Sequence, residues 1–253
     1  MRPYAVHEFA ETDGRVSVFA FLPGALAGLP TAHGVFEELQ ALPDGEWVQG
    51  TFMQHKVPRL VRWHAIGAGS YKFGGRRHES NPYTRKLRWF QTHTLPKLLH
   101  KTLPKNRHFK FHQINSVLVN KYRSNKDSIS PHCDNETEFG REPTIVSVNF
   151  GAPRRFVLRP MTPKELAKEC KRATPRALDA AERKRRRFVV TLGHGDVFVM
   201  AGAAQDFWYH EVPKEKVPSD AVRFNLTFRP YDPEDDGYWS HEWFDSDSES
   251  DCL

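Results

Sequence analysis

The chain has 253 residues, 39% hydrophobic and 12% aromatic, with 37 Lys or Arg against 31 Asp or Glu, a formal charge of +6. That is enough apolar side chain to bury a substantial core, as one larger domain with extensions, and it excludes a disordered or low-complexity chain. Three cysteines (Cys133, Cys170, Cys252) at no regular spacing exclude a disulfide framework and a cysteine-based zinc set.

In chain order, the first long apolar run is "VSVFAFLPGALAGL", too short and too broken by Pro and Gly to span a bilayer, so no membrane partner is expected. The amino terminus lacks a signal-peptide pattern, and an intracellular location, nucleus or cytoplasm, is expected. Between Leu29 and Pro43, Val35, Phe36, Leu39 and Leu42 recur at helical spacing, which predicts an amphipathic helix. "TRKLRWFQTHTLPKLLHKTLP" predicts a basic helical region interrupted near Pro96 and ended by Pro104. From there the period changes. "INSVLVNKY", "PTIVSVNFG", "RRFVLRP", "RRFVVTL", "GDVFVMAG" and "VRFNLTFRP" read as short strands, and together they predict a sandwich or barrel-like β core. One excursion interrupts them: Thr162-Pro163-x-Glu165 is a capping box with proline at the first helical position, and Thr174-Pro175 repeats the first two signals. Two short helices are therefore expected in Met161–Arg187, a stretch with ten Lys or Arg and four acids.

The last 22 positions, 232–253, hold nine acids and no Lys or Arg. Without them the chain sets 37 basic side chains against 22 acids, a formal +15, which makes a polyanion a credible partner beside the alternative of a solvated basic surface.

His132 and Asp134 flank Cys133 within "NKYRSNKDSISPHCDNETEFG". On a strand, residues i and i+2 share a face, so imidazole and carboxylate can reach one ion; a polar turn is the alternative. His194-Gly195-Asp196 repeats the tripeptide, but its glycine and the following "VFVM" read as a turn entering a strand. A mononuclear iron(II) centre needs a second histidine from afar, and His210 lies 76 residues beyond Asp134. In "RFNLTFR" period 2 sets Arg223, Asn225, Thr227 and Arg229 on one face, opposite Phe224, Leu226 and Phe228. If inward, the arginines require anionic partners such as a small dicarboxylate; otherwise that face is solvated.

Asn120-x-Tyr122, His132-x-Asp134, His210 and Arg223-x-Asn225-x-Thr227-x-Arg229, in that order, resemble the signature of the AlkB family of iron(II)/2-oxoglutarate-dependent dioxygenases. The resemblance runs from about Val57 to Pro230. It implies an α+β fold with a mainly β core, a double-stranded β-helix or jelly roll with flanking N-terminal helices and the basic helical insertion outside. It also implies Fe(II) on His132, Asp134 and His210, and 2-oxoglutarate at Asn120, Tyr122, Arg223, Asn225, Thr227 and Arg229. The implied reaction removes a methyl or small alkyl group from a nucleobase nitrogen of DNA or RNA. Dioxygen is consumed, and formaldehyde, succinate and carbon dioxide are released, with ascorbate as reductant.

Tyr71 and Phe73 in "GAGSYKFGG" match the family's substrate region, where aromatic faces replace lost base stacking. Arg59 and Glu136 match base-proximal positions, Asn135 stands where double-strand-specific relatives carry an acid, and "QGTFMQHKVPR" aligns Thr51 with the duplex-wedge position, with the neighbouring Phe52 as the alternative wedge. The expected organisation is an N-terminal extension over 1–45, a dioxygenase domain over 46–231 with the insertion at 161–187, and a disordered acidic tail over 232–253, in a monomer. Two other readings stand beside this one: a relative with the same iron centre acting on protein or small molecules, and a non-catalytic nucleic-acid-binding module, which predicts a broken metal or cosubstrate set where this chain has every expected residue.

Overall fold

Runs of β-branched and aromatic residues pair wherever one face can be buried, and that pairing organises the computed structural model, which describes residues 4–52, 55–67, 70–73, 76–169 and 175–232. In chain order the strands are β1 (Ala5–Ala10), β2 (Val16–Leu22), β3 (Thr51–Phe52), β4 (His55–Lys56), β5 (Leu60–Ala65), β6 (Ser70–Phe73), β7 (Arg76–Glu79), β8 (Ser116–Tyr122), β9 (Ile129–His132), β10 (Ile145–Gly151), β11 (Arg154–Pro160), β12 (Phe188–Leu192), β13 (Val197–Gly202), β14 (Trp208–Val212) and β15 (Arg223–Arg229). The helices are α1 (Pro30–Ala41), α2 (Arg85–Trp89), α3 (Leu95–Thr102), α4 (Pro163–Glu169), α5 (Ala180–Arg186) and α6 (Ala204–Phe207). A seven-stranded sheet in the order β1-β2-β13-β10-β15-β8-β5 and a four-stranded sheet in the order β12-β11-β14-β9 are antiparallel throughout. This is the expected jelly-roll core.

Strand alternation sorts the larger sheet into two faces. Val146, Val148, Phe224, Leu226 and Phe228 join Leu87, Phe90, Leu95 and Leu99 in one apolar cluster, so α1–α3 cover the outer face. The other face bears Ser147, Asn149, Arg223, Asn225 and Arg229, all buried, and looks toward the smaller sheet. A second cluster, with Phe156, Leu158, Phe198, Met200 and Trp208, fills the rest of that space.

Three expectations are corrected. The helical region over 84–104 is not interrupted near Pro96. Thr84 caps α2 by accepting from Leu87 N at 3.1 Å, a wider five-residue π turn spans Phe90–Thr94, and α3 continues with Pro96 in its first turn, where a missing N–H costs little. In the insertion, α4 begins at Pro163 behind the reciprocal box, with Thr162 N donating to Glu165 Oε2 at 2.8 Å and Glu165 N to Thr162 Oγ1 at 3.3 Å. The second helix, however, starts at Ala180, capped by Asp179 Oδ1 accepting from Glu182 N at 2.9 Å, and Pro175 precedes it in irregular chain. The Arg176 and Leu178 carbonyls there serve Thr12 Oγ1 and Arg183 Nη1, which diverts them from a helical ladder. Finally, residues 5–22 form β1 and β2, and β2 pairs with β13 (Phe19 opposite Met200), so the segment expected as an extension supplies an edge of the larger sheet. Val16–Leu22 is buried on both sides and shows no period 2, which hides a strand from pattern reading. Thr174, Cys170, Cys252 and the acidic tail beyond Asp232 lie outside the described residues. Among the described residues no helix is long and apolar enough to cross a membrane.

Candidate metal centre and adjoining pocket

The smaller sheet brings two histidines together. β14 pairs with β9 so that His210 stands directly opposite His132, their ring centroids 4.2 Å apart. Asp134 lies two residues beyond the end of β9 rather than on the strand, which corrects the simple i, i+2 placement. Its backbone N–H instead donates to Gln205 Oε1 on α6 at 2.9 Å, and this turns the carboxylate inward. His132 Nε2 is 3.9 Å from Asp134 Oδ1 and His210 Nε2 is 3.9 Å from Asp134 Oδ2. One donor atom from each residue lies within 4.8 Å of the others, the arrangement of a metal-ligand set.

The protonation states suit a cation. His132 Nδ1 lies 2.9 Å from the Ser130 carbonyl, which can only accept, so Nδ1 carries the proton and Nε2 offers its lone pair. Burial lowers the pKa of both imidazoles, that of His210 to about 3 with His132 adding to the effect. Burial pushes Asp134 up, but Arg229, His210 and His132 outweigh it, and its carboxyl stays below the ordinary range. Two neutral imidazoles and one carboxylate are the donor set that Fe(II) accepts in a facial triad.

A cavity of about 270 Å³ opens beside the three residues. Asn120 and Tyr122 on β8 and Arg223, Asn225, Thr227 and Arg229 on β15 come side by side through direct pairing, Arg223 opposite Tyr122 and Asn225 opposite Asn120. The inward reading of the arginine face holds: Arg223 and Arg229 are each 1% exposed. Arg229 Nη1 is 3.3 Å from Asp134 Oδ1 with its guanidinium 4.1 Å over the Phe139 ring. Arg223 sits 4.9 Å over the Tyr122 ring and donates from Nη2 to Asn149 Oδ1, while its Nε and Nη1 are buried with no hydrogen-bond partner of normal geometry. Burial lowers the pKa of Arg223, with Tyr122 opposing. A buried cation with donors left over on two of its edges fits an anionic ligand such as a carboxylate. Asn225 Nδ2 donates to Ser147 Oγ at 2.7 Å and Thr227 Oγ1 to Asn225 Oδ1 at 3.1 Å.

Of the residues expected near a base, Arg59 and Glu136 line the same cavity, and Arg59 Nε donates to Asn120 Oδ1 at 2.9 Å. Tyr71 and Phe73 lie on β6, in a hairpin with β7, opposite His78 and Arg76; their side chains lie outside what the structure describes. That hairpin is tied to the centre's loop, because the Tyr231 hydroxyl donates to the Ser70 carbonyl at 2.7 Å and Asp232 N to the Glu138 carbonyl at 2.7 Å. His194-x-Asp196 is a turn, as expected: the Asp196 carboxylate accepts from Gly24 N at 2.6 Å and Gly193 N at 2.7 Å.

Sequence reading missed Gln205 and Arg154. Gln205 stands alone in "GAAQDFW" and carries no pattern that would reveal it. Arg154 is two residues before Phe156, so period 2 already put it inward; it is 5% exposed, donates to the Asp127 and Pro213 carbonyls at 2.8 and 2.6 Å, and lies 5.7 Å over the Tyr122 ring.

The pattern of a family described as "2OG-Fe(II) oxygenase superfamily" matches residues 21–229. The bovine (Bos taurus) "Alpha-ketoglutarate-dependent dioxygenase alkB homolog 3" is 34% identical over 239 residues, covering 92% of this chain and 73% of that protein. The Homo sapiens "DNA oxidative demethylase ALKBH2" is 28% identical over 211 residues, 81% of this chain and 70% of that protein. Among solved structures, "The structure of OsALKBH1" superposes with a TM-score of 0.50 at 17% identity, covering 84% of this chain and 96% of that one, which speaks to the fold alone.

Proposed function

Because the chain belongs to the 2OG-Fe(II) oxygenase superfamily and within it to the AlkB family, we propose that it removes alkyl groups oxidatively from nucleobase nitrogens in DNA or RNA. It is a 2-oxoglutarate-dependent dioxygenase. The observation that carries the reading is the convergence of His132, Asp134 and His210 on a cavity also lined by Asn120, Tyr122, Asn225, Thr227 and Arg229, with the buried Arg223 directly behind Tyr122.

His132 Nε2, His210 Nε2 and an Asp134 oxygen would hold the iron, and Arg223, Tyr122, Asn120, Asn225, Thr227 and Arg229 would receive 2-oxoglutarate. Bound iron and cosubstrate supply the oxidising chemistry, in which dioxygen ends in succinate and in a hydroxymethyl group on the base nitrogen, which then leaves as formaldehyde. The protein's own residues position and insulate. Arg223 would supply positive charge and a remaining N–H to a carboxylate, and Asn149 Oδ1 on Nη2 fixes the guanidinium plane. Arg229 balances the Asp134 charge from one side and keeps that carboxylate ionised. Leu118, Phe156 and Val212 line the cavity and exclude water from its inner end. Arg59 and Glu136, at the same cavity, would face the base edge, with Tyr71 and Phe73 stacking on it from the β6–β7 hairpin. The relatives' printed names support a nucleic-acid substrate, and ascorbate is the expected reductant. All these residues fall within 46–231, the span expected as the dioxygenase domain, and a monomer suffices to build the site.

The test is mass spectrometry of N-methylated DNA and RNA oligonucleotides, single- and double-stranded, after incubation with iron, ascorbate and 2-oxoglutarate. Loss of the methyl mass only when 2-oxoglutarate is present is expected. Unchanged masses on every oligonucleotide, with succinate formed on another substrate, would overturn the nucleobase assignment.

A further inference from the structure

The insertion between β11 and β12 has no part in the chemistry above, yet it is fixed against the loop that carries Asp134. Asn135 Nδ2 approaches the Glu169 carbonyl, the last residue of α4, at 3.5 Å. One position before His210, the Tyr209 hydroxyl donates to the Glu169 carboxylate at 2.6 Å. Leu166 is 2% exposed and seats α4 in the core beside α6, the helix that supplies Gln205. α5 is held independently, because Arg186 Nη1 donates to the Ala10 carbonyl at 3.0 Å.

Its acids are already committed. Glu165 pairs with Arg159, Glu169 with Lys168, Glu182 with Arg185 and Arg186, and Asp179 caps α5. Lys164, Arg176, Lys184 and Arg187 are exposed and have no carboxylate partner among the described residues. A rigid mount, a positive surplus that internal pairing leaves over, and direct contact with the site loop point to a polyanion that reaches the site and extends past it.

We propose that Lys164, Arg176, Lys184 and Arg187 bind the phosphodiester backbone of the nucleic acid whose base enters the cavity. The inference rests on the nucleobase reading and adds where the strand runs: over α4 and α5, on the Asp134 side of the sandwich. Contacts of this kind are indifferent to sequence and sugar, so oligo(dT) and oligo(U) are both suitable probes.

The experiment measures binding of each labelled oligonucleotide to the full-length protein over a salt series, alongside two fourfold variants. One carries Lys164→Gln, Arg176→Gln, Lys184→Gln and Arg187→Gln. The other carries Arg85→Gln, Arg88→Gln, Lys97→Gln and Lys101→Gln, which removes the same charge from exposed positions on the helices covering the opposite face of the larger sheet. Each single-strand phosphate contact contributes about 0.7 to the slope of log affinity against log salt, so the insertion variant should lose up to about 3 in slope. Its affinity should fall by about tenfold or more at low salt, while the control variant stays near wild type. Equal losses in both variants, or no loss in the insertion variant, would overturn the proposal. Formaldehyde release by the wild type from a methylated oligonucleotide is read in parallel: its absence speaks against the nucleobase reading itself, whereas turnover with an unchanged KM in the insertion variant speaks against the insertion alone.

Discussion

Asp134 is the residue on which the candidate centre depends, because both imidazoles, the Arg229 guanidinium and the Gln205 amide all converge on it. Asp134→Ala leaves two neutral imidazoles for a divalent cation and a buried Arg229 without its counter-charge. Turnover should fall to background and bound iron should be lost, as read by metal analysis of the purified protein; the His194→Ala control should keep its activity. Arg223 tests the cosubstrate separately, since it does not touch Asp134 as Arg229 does. Arg223→Ala should weaken 2-oxoglutarate binding by about 2–5 kcal/mol, tens- to thousands-fold, read as the cosubstrate KM, with oligonucleotide affinity nearly unchanged. An unchanged KM would remove the dicarboxylate assignment. At this scale the sequence was informative where chemistry demands a residue type at a fixed register: two histidines, one carboxylate and an arginine every sixth position along β15. It was silent on Gln205, because a single amide that accepts one backbone hydrogen bond leaves no periodic trace.

Elements add two predictions about how the frame holds the site. β13 ends at Gly202 with φ +60°, and a Cβ there would come 2.2 Å from the Val16 carbonyl of β2, whose oxygen also accepts from Ala203 N at 2.9 Å. Gly202→Ala should therefore destabilise by more than the ~1–3 kcal/mol of left-handed strain, and thermal melting should show it. Gly28→Ala, at φ +79° with open space around it, should lose only the strain component. In α4 the Arg159 guanidinium binds the Glu165 carboxylate through two contacts of 2.8 Å and, with burial opposing, lowers its pKa from 4.5 to about 2. A depressed folded-state pKa contributes stability that is complete above the unfolded value and is lost as pH falls from about 4.5 toward 2. Urea melts of Glu165→Gln against wild type should differ by no more than about 1 kcal/mol at neutral pH and converge near pH 2. A gap that does not change with pH would contradict this. The capping box at Thr162 was legible because its residues are fixed by local hydrogen bonds. The start of α5 was not, since Pro175 looks like a helix start and tertiary demands on the Arg176 and Leu178 carbonyls decide otherwise.

For the whole molecule, two sheets must face each other closely enough for β9 and β14 to deliver histidines and for β8 and β15 to deliver the polar wall of the cavity. The alternation of "RFNLTFR" showed how β15 divides into a polar and an apolar face but not that both are buried, and the count of short strands showed the class of fold. The participation of β1 and β2 was hidden, because a strand buried on both faces reads as a plain apolar run. Coverage of most of the chain by AlkB relatives agrees with a fold built as one unit around this site. The central claim is that His132, Asp134 and His210 drive oxidative dealkylation of a nucleobase, and the most direct measurement is product stoichiometry on a single-stranded oligonucleotide bearing one N-methylated adenine. Wild-type protein with iron and 2-oxoglutarate should yield unmodified adenine, formaldehyde and succinate in equal amounts, and Asp134→Ala should yield none. Succinate formed without formaldehyde or repaired base, or product formed equally by the variant, would contradict the account.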